Sequence, residues 1–323
     1  MCTAITFKTE NNYFGRTLDY EISYGERIVI TPRDFKLEFR KTFDIEHHYA
    51  MIGMAAVAND YPLYFDAMNE KGVCMAGLNF PDNAKYYEEK NMVYNIAPFE
   101  FIPWILAQCK NIGEVKRLLN KTNIVNLNFS SDLPLSPLHW IIAHNNESIT
   151  VETTKDSMKI FDNPIGVLTN NPTFDMQLFN LNNYINLSPG EPNNRFSDNI
   201  KLSPYSRGMG ALGLPGDVSS ASRFVRAAFV KLNSVCGITE FESVSQFFHI
   251  LASVVQIRGC VKLKDSSYEI TRYTSCCNAD KGIYYFTTYE NSRICAVSLN
   301  QAELNSNVLH EYELPKQQDI SYR

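Results

Sequence analysis

The spacing of apolar residues changes character along the chain, and each change marks a type of element. The first third alternates with a period near two. "TAITFKT" and "NYFGRTLD" are short runs rich in Thr, Ile, Phe and Tyr, separated at Glu10-Asn11, which is the pattern of a hairpin. "RIVITP", "FKLEFRK" and "AMIGMAAVA" read as further strands, and the last is so continuously apolar that it belongs in the interior. Spacing of three and four then takes over in "PFEFIPWILAQC" (98–109) and "IGEVKRLLNK" (112–121), which predicts two helices. Strand patterns return in "LHWIIAH", "SITVETT", "MKIFD" and "IGVLTN". Helical spacing follows in "SSASRFVRAAFVKLN" (219–233), with a serine at its cap, and in "VSQFFHILASVVQI". The chain closes on strands in "YEITRYTSCCN", "GIYYFTTYE" and "ICAVSLN". Strands, helices, strands, helices, strands suits an α+β layered architecture better than a regular β-α-β alternation. No repeat, low-complexity tract or linker interrupts this order, so residues 1–323 are expected to form one domain.

Composition narrows the function classes. The formal net charge is −5, and no basic face of the kind nucleic acid requires stands out. The one basic cluster, Arg33 to Lys41, alternates with Phe and Leu and reads as a strand with a solvated face. No stretch approaches the roughly 20 apolar residues of a membrane span, and Asn11, Asn12 and Arg16 fall where a secretory signal would need apolar residues. A cytoplasmic protein is therefore expected, whose eight cysteines are mostly free thiols buried as small hydrophobes. No C-x-x-C or H-x-x-x-H pair nominates a metal site, and neither a metal nor an organic cofactor is expected. "GMGALG" (208–213) matches a dinucleotide fingerprint but lacks the preceding strand, and Pro215-Gly216 stops a following helix; a loop is the better reading.

Cys2 carries the sharper chemistry. Loss of Met1, expected when the next side chain is small, would leave a thiol and a free α-amine on one residue. The amine's reference pKa of roughly 7.7–8.0 and the thiol's of about 8.5 let one take the other's proton near neutrality. Such a nucleophile needs no distant histidine. A carboxylate would hold the amine and a guanidinium would favour thiolate, and Arg16 and Asp19 lie on the strand that a hairpin folds back onto Cys2. Acyl transfer also needs donors for the oxyanion. "AGLNFP", with Asn79, and "GVLTNNP", with Asn170-Asn171, each place an asparagine at the end of a strand, although turn formation alone would explain either.

The segments "MCTAIT…YFGRTLDYE", "NDYPLYFDAMNEKG", "MAGLNFP", "FEFIPW", "LPLSPLHW", "GVLTNNPTFD", "GLPGDVSSASRFVRA", "QFFHIL" and "YTSCCN…KGIYY" resemble the choloylglycine hydrolase family in order, from residue 2 to about 300. Its members are the bile salt hydrolases and the penicillin V acylases. The resemblance implies an N-terminal nucleophile hydrolase with a four-layer αββα fold, two stacked and mostly antiparallel sheets between helix layers. It implies Cys2 as nucleophile with its amine as base, and Arg16 and Asp19 as the charged pair around it. Asn79 and Asn170 would serve at the oxyanion site and in ordering substrate, and Arg223 would complete the polar network. Bile salt hydrolases carry Asn in "GLNF" where penicillin V acylases tend to carry Tyr, so Asn79 favours conjugated bile salts, cleaved at the amide to glycine or taurine. A penicillin V acylase or other N-acyl amidase on the same scaffold is the alternative, and a non-catalytic binder of amphipathic acids a more distant one. Leu18, Tyr24, Phe65, Phe129 and Leu133 fall in segments that line the family's pocket loops, where ordinary loop packing is the competing role. A homotetramer is implied by the resemblance alone.

Overall fold

A computed structural model describes residues 1–323. The chain runs β1 (Cys2–Lys8), β2 (Asn12–Tyr20), β3 (Arg27–Thr31), β4 (Met51–Ala58), β5 (Tyr61–Asn69), β6 (Cys74–Asn79) and β7 (Tyr94–Ile96), then α1 (Phe101–Gln108) and α2 (Ile112–Leu119). Next come β8 (Thr122–Ile124), β9 (Leu138–His144), β10 (Glu147–Thr153), β11 (Met158–Asp162), β12 (Val167–Leu168), α3 (Phe174–Asn180), α4 (Ser220–Asn233) and α5 (Glu240–Ala252). The last strands are β13 (Ile270–Asn278), β14 (Ile283–Thr288), β15 (Cys295–Ser298) and β16 (His310–Glu313).

Two antiparallel sheets dominate. The smaller has the order β12-β1-β2-β13-β14-β15, the larger β11-β10-β9-β6-β5-β4-β3-β16, and β7 and β8 form a short parallel pair. The sheets stack where β1 and β2 lie against β6. Helices α4 and α5 cover the outer side of the smaller sheet, with Phe224, Ala228, Phe247 and Leu251 in a core shared with Ala4, Phe14 and Tyr284. Helices α1 and α2 cover the larger sheet, where Trp104, Ile105 and Val115 pack on Met75, Trp140 and Val151. The α+β, four-layer arrangement follows from this: each sheet is apolar on both faces, and only helix layers keep the outer faces from water.

The hairpin β1–β2 forms as its pattern predicts, in a register that pairs Cys2 with Leu18 and Ala4 with Arg16. The helices begin for local reasons. Asn111 accepts a hydrogen bond from Glu114 N at 2.9 Å, and Thr239 with Glu242 closes a capping box. At α4 the serine cap is different from expectation. Ser219 sits at the cap position with no capping bond of its own, and Asp217 organises the turn by accepting from Ser219 N (2.9 Å) and Ser222 Oγ (2.5 Å).

"FKLEFRK" is not a strand. Its alternation correctly marks Leu37 and Phe39 as buried beside exposed neighbours, but the backbone makes only an isolated bridge from Leu37 to Ile45. Nor is its basic edge a plain solvated face. Arg40 donates to the carbonyls of Asn128 (2.8 Å) and Phe129 (2.6 Å), and its guanidinium lies 5.0 Å from the ring centre of Phe99. "GMGALG" holds a single 3-10 turn, Met209–Ala211, in a largely exposed segment.

Candidate active site

The first strand places Cys2 between the sheets, 3% exposed. Its main-chain N–H donates to Asn170 Oδ1 at 2.9 Å. Asn170 comes from just past β12, the edge strand paired directly with β1, and is held by its own N–H donating to Ser220 Oγ (2.8 Å) at the start of α4. Arg223, one turn further along α4 and fully buried, reaches back to the same point. Its Nη1 donates to the Cys2 carbonyl and to Thr3 Oγ1, both at 2.6 Å, and its Nη2 donates to Asn170 Oδ1 at 2.7 Å. With Oδ1 accepting from both Cys2 and Arg223, the orientation of the Asn170 amide is fixed. Its Nδ2 must then donate elsewhere, and it meets the Asn79 carbonyl at 2.6 Å across the gap between the sheets.

Asp19 lies beneath this group. Its Oδ2 stands 3.9 Å from Arg223 Nη1, and its carboxylate accepts from Thr271 Oγ1 (2.6 Å) and Thr17 Oγ1 (3.2 Å). The β1–β2 ladder runs on by one residue: Asp19 N donates to the Met1 carbonyl at 2.9 Å, and the Met1 amine donates to the Asp19 carbonyl at 2.6 Å. The same amine makes an ion pair with the buried Glu269. Burial lowers the pKa of this amine, with Arg223 and Arg16 adding to the effect against Cys2 and Asp19.

Arg16 occupies the interior between the sheets. Its Nη1 donates to the carbonyls of Phe65 (3.2 Å) and Gly77 (2.5 Å), whereas Nη2 is buried with no partner. Burial works against its charge, but Cys2, Tyr273, Asp66 and Asp19 together outweigh burial and push its pKa up. Asp66 is the countercharge: fully buried, it accepts from Tyr273 Oη (2.5 Å), Tyr284 Oη (2.6 Å) and Ser275 Oγ (3.0 Å). Burial raises its pKa, while Arg16 and these hydroxyls pull the other way. The arrangement brings together a thiol, a buried carboxylate and guanidinium 3.9 Å apart, a second buried guanidinium between the sheets and two asparagines tied to each other, the residue types that acyl transfer calls for.

All six residues singled out for chemistry converge here: Cys2, Arg16, Asp19, Asn79, Asn170 and Arg223. Of the apolar candidates, Leu18 is buried opposite Cys2 in the hairpin. Phe65 follows, since its carbonyl binds Arg16, and Tyr24 lies 5.9 Å from its ring. Phe129 stands in a different aromatic group, 5.2 Å from Phe99 and 6.2 Å from Tyr61, and Leu133 sits in the same loop, its N–H bonded to Ser130 Oγ. Sequence reasoning missed Thr3, Asp66, Glu269 and Thr271. For Asp66 a signal existed, a lone carboxylate in the apolar strand "LYFDAMN", and Thr3 is the immediate neighbour of Cys2; Thr271 reaches the site by pairing with Asp19, with Glu269 just before that strand, which no spacing reveals.

Comparison with known proteins bears on this geometry. The family model for linear amide C–N hydrolases, choloylglycine hydrolase family, matches residues 2–312. A bile salt hydrolase/transferase of Lactiplantibacillus plantarum is 58% identical over 314 residues, covering 97% of each chain. The structure resembles the C2A mutant of conjugated bile acid hydrolase from Clostridium perfringens with a TM-score of 0.92 and 38% identity, over 100% of this chain and 99% of that one. A penicillin V acylase from Agrobacterium tumefaciens shares the fold, with a TM-score of 0.74 at 19% identity over 98% and 92% of the two chains.

Arg223 is the group whose loss should cost the structure most. Arg223→Met strips the donors from Cys2 O, Thr3 Oγ1 and Asn170 Oδ1 and leaves Asp19 without its buried countercharge. Equilibrium unfolding in urea should show a loss of about 3–5 kcal/mol. Arg223→Lys should recover only part of it, because one ammonium cannot reproduce a fork that spans Cys2, Thr3 and Asn170. A Met variant as stable as the parent would contradict this account.

Proposed function

The chain belongs to the choloylglycine hydrolase family of linear amide C–N hydrolases, and from that premise we propose that it hydrolyses the amide joining a bile acid to glycine or taurine. One observation carries the reading: Asn170 Oδ1 and Arg223 meet at the main-chain nitrogen and carbonyl of Cys2. A site built around a main-chain nitrogen suits a residue whose own amine takes part in the reaction. The 58% identity to a bile salt hydrolase/transferase supports the substrate class.

In the proposed mechanism Met1 is removed and Cys2 becomes the first residue of one N-terminal nucleophile hydrolase domain. The Cys2 thiol gives its proton to the α-amine, and its sulfur attacks the substrate carbonyl carbon. Asn79 and Asn170 steady the oxyanion, and Arg16 and Arg223 favour the negative charge that develops. As the C–N bond breaks, the α-ammonium protonates the departing nitrogen of glycine or taurine. Water, deprotonated by the same amine, then hydrolyses the thioester and releases the free bile acid. An amine that intercepts the thioester in place of water would give the transfer reaction that the relatives' names include. Asp19 holds the amine. The steroid needs an apolar wall, and Leu18, Tyr24, Phe65, Phe129 and Leu133 are assigned to it.

No helix is long and apolar enough to cross a membrane. Cytoplasmic residence is supported by eight unpaired cysteines. A homotetramer is supported by the segment after α3, which turns Ile185, Phe196, Tyr205 and Leu212 outward, each more than 70% exposed.

Glycocholate and taurocholate should be cleaved faster than penicillin V, as read by release of glycine, taurine or 6-aminopenicillanic acid; cleavage of penicillin V alone would overturn the assignment. Cys2→Ser should lower kcat by at least about a thousandfold while bile salt binding persists, and undiminished turnover would remove the mechanism. Intact mass of the active enzyme should correspond to a chain that begins at Cys2. Light scattering should return four times the mass of one chain, and a stable monomer would refute the assembly.

A further inference from the structure

The two asparagines that must converge come from different sheets, Asn79 at the end of β6 and Asn170 just past β12. The bond from Asn170 Nδ2 to the Asn79 carbonyl is one tie between them. A second tie passes through His139, which the proposed chemistry does not use. His139 lies on β9 opposite Leu78 and is fully buried. Its ring stacks on Phe80, the residue after Asn79, with centroids 4.2 Å apart and planes within 7°. Its Nε2 lies 2.9 Å from the carbonyl of Thr169, the residue before Asn170. A carbonyl can only accept, so Nε2 carries a hydrogen and donates. Nδ1 shares a proton with Glu152 Oε1 at 3.1 Å, and that oxygen also accepts from Phe174 N at 3.0 Å, at the start of α3. Glu152 thereby fixes which ring nitrogen faces Thr169.

We propose that His139 is a positioning residue for acyl transfer: its ring grips the segment that carries Asn79, and its Nε2–H grips the segment that carries Asn170. The inference rests on the assignment of both asparagines to the oxyanion site. A core residue would do no more than fill space. A positioning residue sets the distance between two groups that act on one oxygen, and a displacement near 1 Å is enough to matter at that point. His139 touches no reacting atom, so its loss should appear in turnover more than in substrate affinity.

Two variants separate the two grips. His139→Phe keeps a flat ring over Phe80 and removes the donor, whereas His139→Gln keeps a donor and removes the ring. Each should lower kcat about 10- to 100-fold, with KM changed less than about threefold, on whichever amide the parent enzyme cleaves. Folded protein is counted by urea titration, so that a smaller active fraction is not read as slower chemistry. The crystal structure of whichever variant folds should show the 2.6 Å contact between Asn170 Nδ2 and Asn79 O opened. Glu152→Gln, which preserves volume, should reproduce the kcat loss in weaker form. The proposal is overturned if folded variants keep kcat within about twofold of the parent, or if the contact is unchanged in their crystal structures. The crystallographic arm does not depend on activity, so it decides the matter even where no bile salt is cleaved; that result would sink the substrate assignment alone.

Discussion

Everything at the site depends on the Asn170 carboxamide having its oxygen and one amide hydrogen committed. The oxygen takes the Cys2 N–H and the Arg223 Nη2–H, and the nitrogen reaches the Asn79 carbonyl in the opposing sheet. An amide so engaged cannot flip without breaking bonds in a dry interior, where each unmade bond costs roughly 1–3 kcal/mol. Around it, Arg223 satisfies Cys2 and Thr3, Asp19 balances Arg223, and Thr271 and Thr17 hold Asp19. The order of dependence runs outward from one side chain.

Two buried cations in one interior are expensive, and the fold meets the cost in two different ways. Arg223 is surrounded by neutral acceptors with Asp19 at 3.9 Å, and burial pulls its pKa down. At Arg16 the surrounding groups, Cys2, Tyr273, Asp66 and Asp19, outweigh burial, although its own hydrogen bonds go to main-chain carbonyls. Asp66 in turn accepts from Tyr273, Tyr284 and Ser275, and Ser275 Oγ also accepts from Arg16 N at 3.1 Å. A carboxylate on one sheet thus anchors three hydroxyls on the other, and ties the two sheets together.

Much of this was legible in the sequence because it is local. The β1–β2 hairpin brought Arg16 and Asp19 to Cys2 through nothing more than two short alternating runs and a turn. Asn79 and Asn170 were visible as polar residues ending apolar runs, but nothing local required them to touch; the ordered motifs of the family resemblance did that. Glu269 and Thr271 stayed hidden because they arrive with a strand distant in sequence, and the partners of Asp66 because they lie on the opposing sheet. The pattern misled at "FKLEFRK", where alternation reports burial faithfully while hydrogen-bonded pairing is decided by neighbours elsewhere in the chain. Phe129 and Leu133 belong to a loop whose course follows from Arg40, held by carbonyls at 128 and 129.

The unpartnered Nη2 of Arg16 has a thermodynamic meaning of its own. A charged N–H without a protein acceptor in the interior costs stability, and Arg16 keeps that cost while its Nε and Nη1 both donate to carbonyls. Arg223 shows the contrast, since its Nε, Nη1 and Nη2 all donate, and it braces the site where Arg16 holds one donor in reserve.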